Sequence, residues 1–475
     1  MPRKVLLAIL FLFLGLVVYL LPLGLPENSH KLLAVLVVTV LFWLFEIMPL
    51  GVVSLAAAAS TVVLGIADKK TAFANFAHPI IFLFIGSFLL AEAFSKYGID
   101  RYIAVKVLKN PAVRRNDLFF ITAVLFIPWF LSMWLSNTAT TAMLLPIVAG
   151  LLALLYPNGE WASNRAKFLL LGIAYAASVG GITTPVGTPP NLIALGFLEK
   201  EGIHISFGEW IAKVLPISVL TFAFLVLVVK KLVGHLEVSK ISADRLEEKP
   251  LTPTQKVVLT VFLLVVFLWL LPSLLGLFKG VSPTLGEVAH WFKTHLHYSV
   301  VAVLGASVLF LLPDRETPSG YKPILSAEDI KRIDWDTILL FGGGLTLGSL
   351  MFKTGLVHTV AGELAKFLPH SEFLVLWILV LVAIFLTEFS SNTATANVLV
   401  PVVIGLSQQL GLDTLKAVMA TTIACSYAFM LPMATPPNAI VFGFANIKIS
   451  EMAKVGFILN LFGSVVITLF VWFLF

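Results

Sequence analysis

Charge is what this chain has least of. Asp, Glu, Lys and Arg together make up 12% of its 475 residues, about half of the 25% usual in a soluble domain. That shortage excludes a soluble enzyme, because too few polar side chains remain to face water on every side. Cysteine is nearly absent as well. Cys425 is the only one, which excludes a disulfide framework, a Cys-rich metal site and a redox pair; a lone Cys reads as a small buried apolar residue. The net charge of +6 does not point to nucleic acid, since the basic residues sit in the gaps between apolar runs and not on one folded face.

Apolar sequence is what the chain has in abundance: 59% of residues are hydrophobic and the mean hydropathy is +0.99. A bilayer span needs about 20 apolar residues. The runs at 5–25, 31–48, 50–67, 76–96, 165–198, 210–232, 254–272, 297–313, 335–356, 414–445 and 453–475 predict eleven transmembrane helices. The first lacks a small-residue cleavage site and exceeds the apolar core of about 7–15 residues that a signal peptide carries, so it reads as a retained helix. Short loops keep Lys and Arg in the cytoplasm. With eleven spans, the basic groups from Lys96 to Arg115, Lys230 to Lys256 and Arg315 to Arg332 fall on one side. This places the N-terminus in the cytoplasm and Phe475 outside, in a multi-pass protein of the cell membrane.

The two halves of the chain repeat, in three blocks. Residues 81–104 match 338–361, pairing Phe84 with Phe341, Gly86 with Gly343, Lys96 with Lys353 and Gly98 with Gly355. Ser136-Asn137-Thr138-Ala139-Thr140 recurs 255 residues later from Ser391 to Thr395, and Thr188-Pro189-Pro190-Asn191 recurs 247 residues later from Thr435 to Asn438. Five spans separate the copies, and an odd number inverts the second in the membrane. Inverted repeats place a shared site near the bilayer midplane, where irregular backbone lines a cavity, and serve alternating access. The predicted organisation is therefore a first helix at 1–30, repeat 1 at 31–236, a cytoplasmic linker at 237–253 and repeat 2 at 254–475.

The segments 117–156 and 371–411 are longer than one span needs and are polar in the middle. Each reads as a re-entrant helical hairpin that turns at Ser-Asn-Thr, the first open to the cytoplasm and the second to the outside. At each turn the returning helix points its free N–H groups and positive dipole end inward, an anion site. The Asn oxygen, Ser hydroxyls and carbonyls of the same turn suit a hard cation. In 165–198 and 414–445 the Pro-Pro pairs cannot continue a helix, so both spans unwind near their middles. The fold class is thus all-α integral membrane, with eleven transmembrane helices, two re-entrant hairpins and an inverted repeat.

No Lys or Arg occurs in 118–155, 168–198 or 417–447. An anion reaching this centre meets no fixed basic side chain, and its unpaired burial is costly, so cations, most simply sodium, are expected to travel with it. Glu388 is the one internal charge of the second hairpin, with Met133 in the corresponding place of the first. It reads either as functional or as pairing with a polar neighbour to hold the hairpin.

These paired motifs, together with the Asp336 to Gly344 segment, resemble the divalent anion/sodium symporter family of dicarboxylate, citrate and sulfate carriers, from the second span to the C-terminus. The resemblance implies a homodimer in which a transport domain moves like an elevator against a fixed scaffold. It places one sodium ion on Ser132, Ser136, Asn137 and the backbone of Gly187, and another on Thr387, Ser390, Asn392 and the backbone of Ala434. It implies that the dianion is held by Ser136, Asn137, Thr138 and Thr188 on one side and Ser391, Asn392, Thr393, Thr435 and Pro436 on the other. The expected activity is sodium-coupled symport of small dianions, C4-dicarboxylates such as succinate, malate or fumarate. A sodium-independent dicarboxylate exchanger and a citrate or sulfate symporter are the alternatives. Beyond the co-transported sodium no organic cofactor is expected, and no enzyme activity, since the histidines lie at span ends or in loops.

Overall fold

The computed structural model describes residues 3–156, 165–238, 249–277, 283–316 and 320–475, so most of the expected linker, at 239–248, lies outside the described residues. Among the described residues the regular structure is helical apart from one isolated bridge between Pro313 and Pro323. Ten helices there are long and apolar enough to cross a bilayer. Five shorter apolar ones, including Asp117–Leu131, Lys167–Gly181 and Thr414–Ala424, accompany them. Several of the helices start where an apolar run follows a side chain that accepts from the first turn. Ser206 and Thr252 each form a capping box, with Glu209 and Gln255.

The repeat is visible in packing as well as in letters. Pro79–Lys96 lies along Tyr298–Leu309, and its counterpart Trp335–Thr354 lies along Leu50–Val63. Both contacts need a glycine. A methyl group on Gly86 would sit 2.5 Å from the Ala302 backbone, and one on Gly343 would sit 2.4 Å from Ser54 Cβ. Each long helix then ends in a left-handed residue, Gly98 at φ 63° and Gly355 at φ 80°, which only glycine adopts without strain. After these turns come Ile99–Lys109 and Leu356–Ala365, two short helices that the span count had passed over. Asp336 ties the halves of this layer together, accepting from Leu50 N (3.1 Å) and Gly51 N (2.8 Å) at the start of Leu50–Val63.

A second layer holds the hairpins. Asn116 and Ser371, 255 residues apart, cap Asp117–Leu131 and Glu372–Phe389 by accepting from Phe119 N and Leu374 N. These arms pack on Lys167–Gly181 and Thr414–Ala424, respectively. The half-helices that follow the breaks cross over: Pro189–Lys200 packs on Asn392–Leu410 and Thr414–Ala424 of the second repeat, while Pro436–Phe444 packs on Asn137–Leu155 and Lys167–Gly181 of the first. This exchange brings both turns and both breaks to one place.

Candidate functional site

A cavity of about 670 Å³ opens where the two repeats meet. Four helix N-termini reach it, at Asn137, Pro189, Asn392 and Pro436. All nine residues expected to hold the dianion line it: Ser136, Asn137, Thr138, Thr188, Ser391, Asn392, Thr393, Thr435 and Pro436. Ser136 and Ser391 also act as helix caps, accepting from Ala139 N (3.4 Å) and Ala394 N (3.1 Å). Thr435 caps its half-helix in the same way, accepting from Asn438 N at 3.3 Å. Val186 and Met433 border the cavity just before the two breaks' last turns.

Beside the first turn lies a cluster of oxygens. A methyl group on Gly181 would fall 2.7 Å from Asn137 Oδ1 and 3.0 Å from the Gly187 carbonyl. One on Gly187 would fall 2.4 Å from the Gly181 carbonyl and 2.8 Å from that of Ser132. Asn137 Oδ1 in this cluster, and the hydroxyl of Ser132, whose carbonyl belongs to it, are buried with no hydrogen-bond partner. Buried polar atoms are normally satisfied, and a set of neutral oxygens of this kind fits a hard monovalent cation. Of the first expected sodium ligands, Ser132, Asn137 and Gly187 are thus together, and Ser136 stands at the adjoining turn; Gly181 joins them, a carbonyl that no side-chain motif could have marked.

The second cluster is tighter. Thr387 Oγ1 lies 2.7 Å from both Asn392 Oδ1 and the Cys425 carbonyl. Asn392 and Ala434 line the cavity next to it, and Ser390 stands half-buried at the turn that precedes the Ser391 cap. Cys425 contributes here through its backbone.

Two residues of the motifs do structural work that the sequence reading missed. Asn191 Nδ2 donates across the first break to the carbonyls of Gly181 (3.2 Å), Ile182 (3.2 Å) and Thr184 (2.8 Å). Asn438 Nδ2 donates across the second to Ala428 (2.8 Å) and Leu431 (3.1 Å). These close the carbonyls that each unwound segment leaves without an intrahelical partner. Glu388 takes the second of its two expected roles. Its carboxylate accepts from Phe429 N (2.8 Å), Met430 N (2.8 Å), Leu431 N (3.0 Å) and Asn460 Nδ2 (2.7 Å), so it holds the second break and does not line the cavity.

At the far end of Pro189–Lys200 a polar seam joins this layer to the first. Lys200 Nζ donates to Asn75 Oδ1 (2.6 Å), to the Leu345 carbonyl (3.3 Å) and to the Ser349 hydroxyl. Tyr298 donates its hydroxyl to Glu199, and His297 Nε2 stands 3.6 Å from the same carboxylate.

Residues 3–475 match the sodium:sulfate symporter transmembrane region. The chain belongs to the sodium:sulfate symporter family. It is 36% identical to an uncharacterized transporter of Haemophilus influenzae over 93% of this chain and 90% of the relative. It is 32% identical to the sodium-dependent dicarboxylate transporter SdcS of Staphylococcus saprophyticus, over 94% of this chain and 87% of that one. Among solved structures it is similar to the YdaH transporter of Alcanivorax borkumensis, with a TM-score of 0.58, 16% identity, and coverage of 100% of this chain and 99% of that one; this likeness concerns the fold. Members of the sodium:sulfate symporter family are membrane transporters, so this chain is a multi-pass membrane transporter and not an enzyme.

Proposed function

We propose that the chain is a sodium-coupled symporter of small dianions, with C4-dicarboxylates such as succinate, malate and fumarate as cargo. The observation that carries this reading is the meeting of four helix N-termini and two oxygen clusters on one cavity whose walls, at that depth, hold no Lys or Arg. Each N-terminus presents roughly half a positive charge, so four offset about two negative charges. These partial charges are fixed to the protein and compensate nothing that crosses the membrane. Moving a dianion inward against 100 mV costs about 4.6 kcal/mol, and accompanying sodium ions cancel that work. In this reading Ser132, Asn137, Gly181 and Gly187 hold one sodium ion, while Thr387, Asn392, Cys425 and Ala434 hold a second. Ser136 and Ser390 complete the two sets. The carboxylates of the cargo lie against the turns at Ser136–Thr138 and Ser391–Thr393 and the breaks at Thr188, Thr435 and Pro436. A relative named for sodium-dependent dicarboxylate transport favours dicarboxylate over sulfate.

The layer of hairpins and broken helices then moves as one body against the layer built on Pro79–Lys96 and Trp335–Thr354, in an elevator-type cycle within a homodimer. Eleven crossings, a cytoplasmic N-terminus and an outward C-terminus belong to the same reading, with the linker at 237–253 joining the repeats in the cytoplasm. Radiolabelled succinate uptake into proteoliposomes tests it. Uptake should require an inward sodium gradient and be inhibited by malate and fumarate more than by citrate or sulfate. Uptake that is unchanged when choline or potassium replaces sodium at constant pH overturns the coupling.

A further inference from the structure

Among the described residues lining the cavity, Arg332 is the only basic one. Its side chain is 61% exposed, which puts it on the open side of the cavity, its mouth. The backbone that carries it is firmly placed. Lys96 Nζ donates to Asp329 Oδ2 (2.8 Å) and to the Ile324 carbonyl (2.8 Å), Trp335 Nε1 donates to the Ile330 carbonyl (2.9 Å), and Asp334 accepts from Thr337 N (3.0 Å). Against this rigid support the guanidinium itself is loosely held, its Nη1 lying 3.4 Å from Glu92 Oε1.

The other charges on the cavity wall are Glu46, Glu92 and Asp334. Lys4 Nζ donates to the Glu46 carbonyl (2.7 Å) beside them, and three carboxylates against these two cations still leave the mouth net negative, which draws cations in and repels an anion. On the wall itself a dianion entering or leaving by this route meets a single basic side chain, Arg332. Arg suits that task, since its planar fork matches a carboxylate with two parallel hydrogen bonds, and a 3.4 Å contact is long enough to be exchanged for a better one.

We propose that Arg332 is the first contact of the anionic cargo at this mouth, its guanidinium exchanging Glu92 for a carboxylate of the dianion before the dianion reaches the turns at Asn137 and Asn392. Glu92 is the resting partner that keeps the guanidinium over the opening between cycles. The inference rests on the proposed function, because it takes the cavity as the route of an anion.

Succinate transport at constant sodium separates this role from a structural one, measured in right-side-out and inside-out vesicles at low and high ionic strength, with sucrose or choline chloride as the balance. Removing one positive charge from a net-negative mouth should raise the KM of Arg332→Gln about three- to tenfold at low ionic strength with kcat little changed. The increase should shrink as salt screens the mouth and should appear in one vesicle orientation only. Glu92→Gln should lower KM in that orientation, and Arg332→Lys should fall between wild type and Gln. A KM for Arg332→Gln equal to wild type at both ionic strengths overturns the proposal, as does an equal change in both orientations or a fall in kcat alone. If that variant does not fold, an unchanged KM in Glu92→Gln overturns it. Asn137→Ala and Asn392→Ala are measured alongside. Retained transport in those two means the site reading has failed, whereas their loss with a silent Arg332→Gln means that only this inference has.

Discussion

Thr184 donates its hydroxyl to the carbonyl of Met133, and the residues in the corresponding places of the second repeat, Leu431 and Glu388, are joined too. There the direction is reversed in kind: a backbone N–H of Leu431 donates to the Glu388 side chain at 3.0 Å. The same two positions are held together by a side-chain donor and a backbone acceptor in one half, and by a backbone donor and a side-chain acceptor in the other. Both links fix the loop of a broken helix to the turn of its hairpin, and so set the distance between the carbonyls and the Asn oxygen of each cluster.

Removal of the carboxylate should therefore loosen the second break first. Glu388→Ala leaves three consecutive backbone N–H groups without their acceptor, at about 1–3 kcal/mol for each one that stays unsatisfied. The thermal unfolding midpoint of the detergent-solubilised protein should fall, and the sodium concentration for half-maximal uptake should rise. Glu388→Gln keeps the shape but turns one acceptor into a donor, and should show a smaller change of the same sign. A sodium titration that matches wild type in both variants would remove Glu388 from this role.

The four motif asparagines should divide into two classes. Asn137→Ala and Asn392→Ala should abolish uptake while the protein still elutes as a single species and unfolds near the wild-type temperature. Asn191→Ala and Asn438→Ala remove the donor that closes two or three loop carbonyls, at about 1–3 kcal/mol of stability for each group left unsatisfied, and should lower the unfolding temperature together with uptake. Thermal unfolding of all four by tryptophan fluorescence distinguishes the classes; equal destabilisation would merge them.

Gly181→Ala tests the first oxygen cluster without touching a side-chain ligand. The new methyl group meets Asn137 Oδ1 at 2.7 Å and the Gly187 carbonyl at 3.0 Å, so both oxygens must shift. Half-saturation by sodium should rise roughly tenfold or more, about 1.4 kcal/mol of lost cation binding, with a smaller effect on succinate measured at saturating sodium. Unaltered sodium dependence would place the cation elsewhere.

Lys200→Met cuts the seam between the two layers while leaving the cavity intact. Its three hydrogen bonds hold the half-helix Pro189–Lys200 to Asn75, Leu345 and Ser349. If one of these is worth about 1 kcal/mol net, release from this conformation should accelerate about fivefold. The expected signature is a higher turnover with unchanged half-saturation for sodium and succinate. A raised KM with no gain in turnover would assign Lys200 to binding instead.

The hairpin turns were legible because a polar Ser-Asn-Thr in the middle of an apolar run has few places to go; the returning helices begin at Asn137 and Asn392 where those letters predicted. The breaks were legible from Pro-Pro, yet their extent was not. The unwound stretches run from Ile182 to Thr188 and from Cys425 to Thr435, mostly ahead of the prolines, because what keeps them open is Asn191 and Asn438 reaching back and Glu388 reaching across from the hairpin. Such long-range hydrogen bonds leave no local periodicity. The carbonyls of Gly181 and Cys425 were invisible for a simpler reason: a backbone oxygen is present at every residue, and only the fold decides which ones converge. The apolar runs likewise marked the long helices but not Ile99–Lys109 and Leu356–Ala365, which are too short and too mixed in polarity to read as spans.

The unequal anchoring of the two breaks also bears on how such a carrier can change over generations. A protein assembled from two identical chains would carry a carboxylate at the position of Glu388 in both halves or in neither. Here both copies lie on one chain, so a substitution in one half does not oblige the other to follow. Met133 and Glu388 record that freedom: the halves kept the turn and the cap that the cargo would meet, and diverged in the parts behind them.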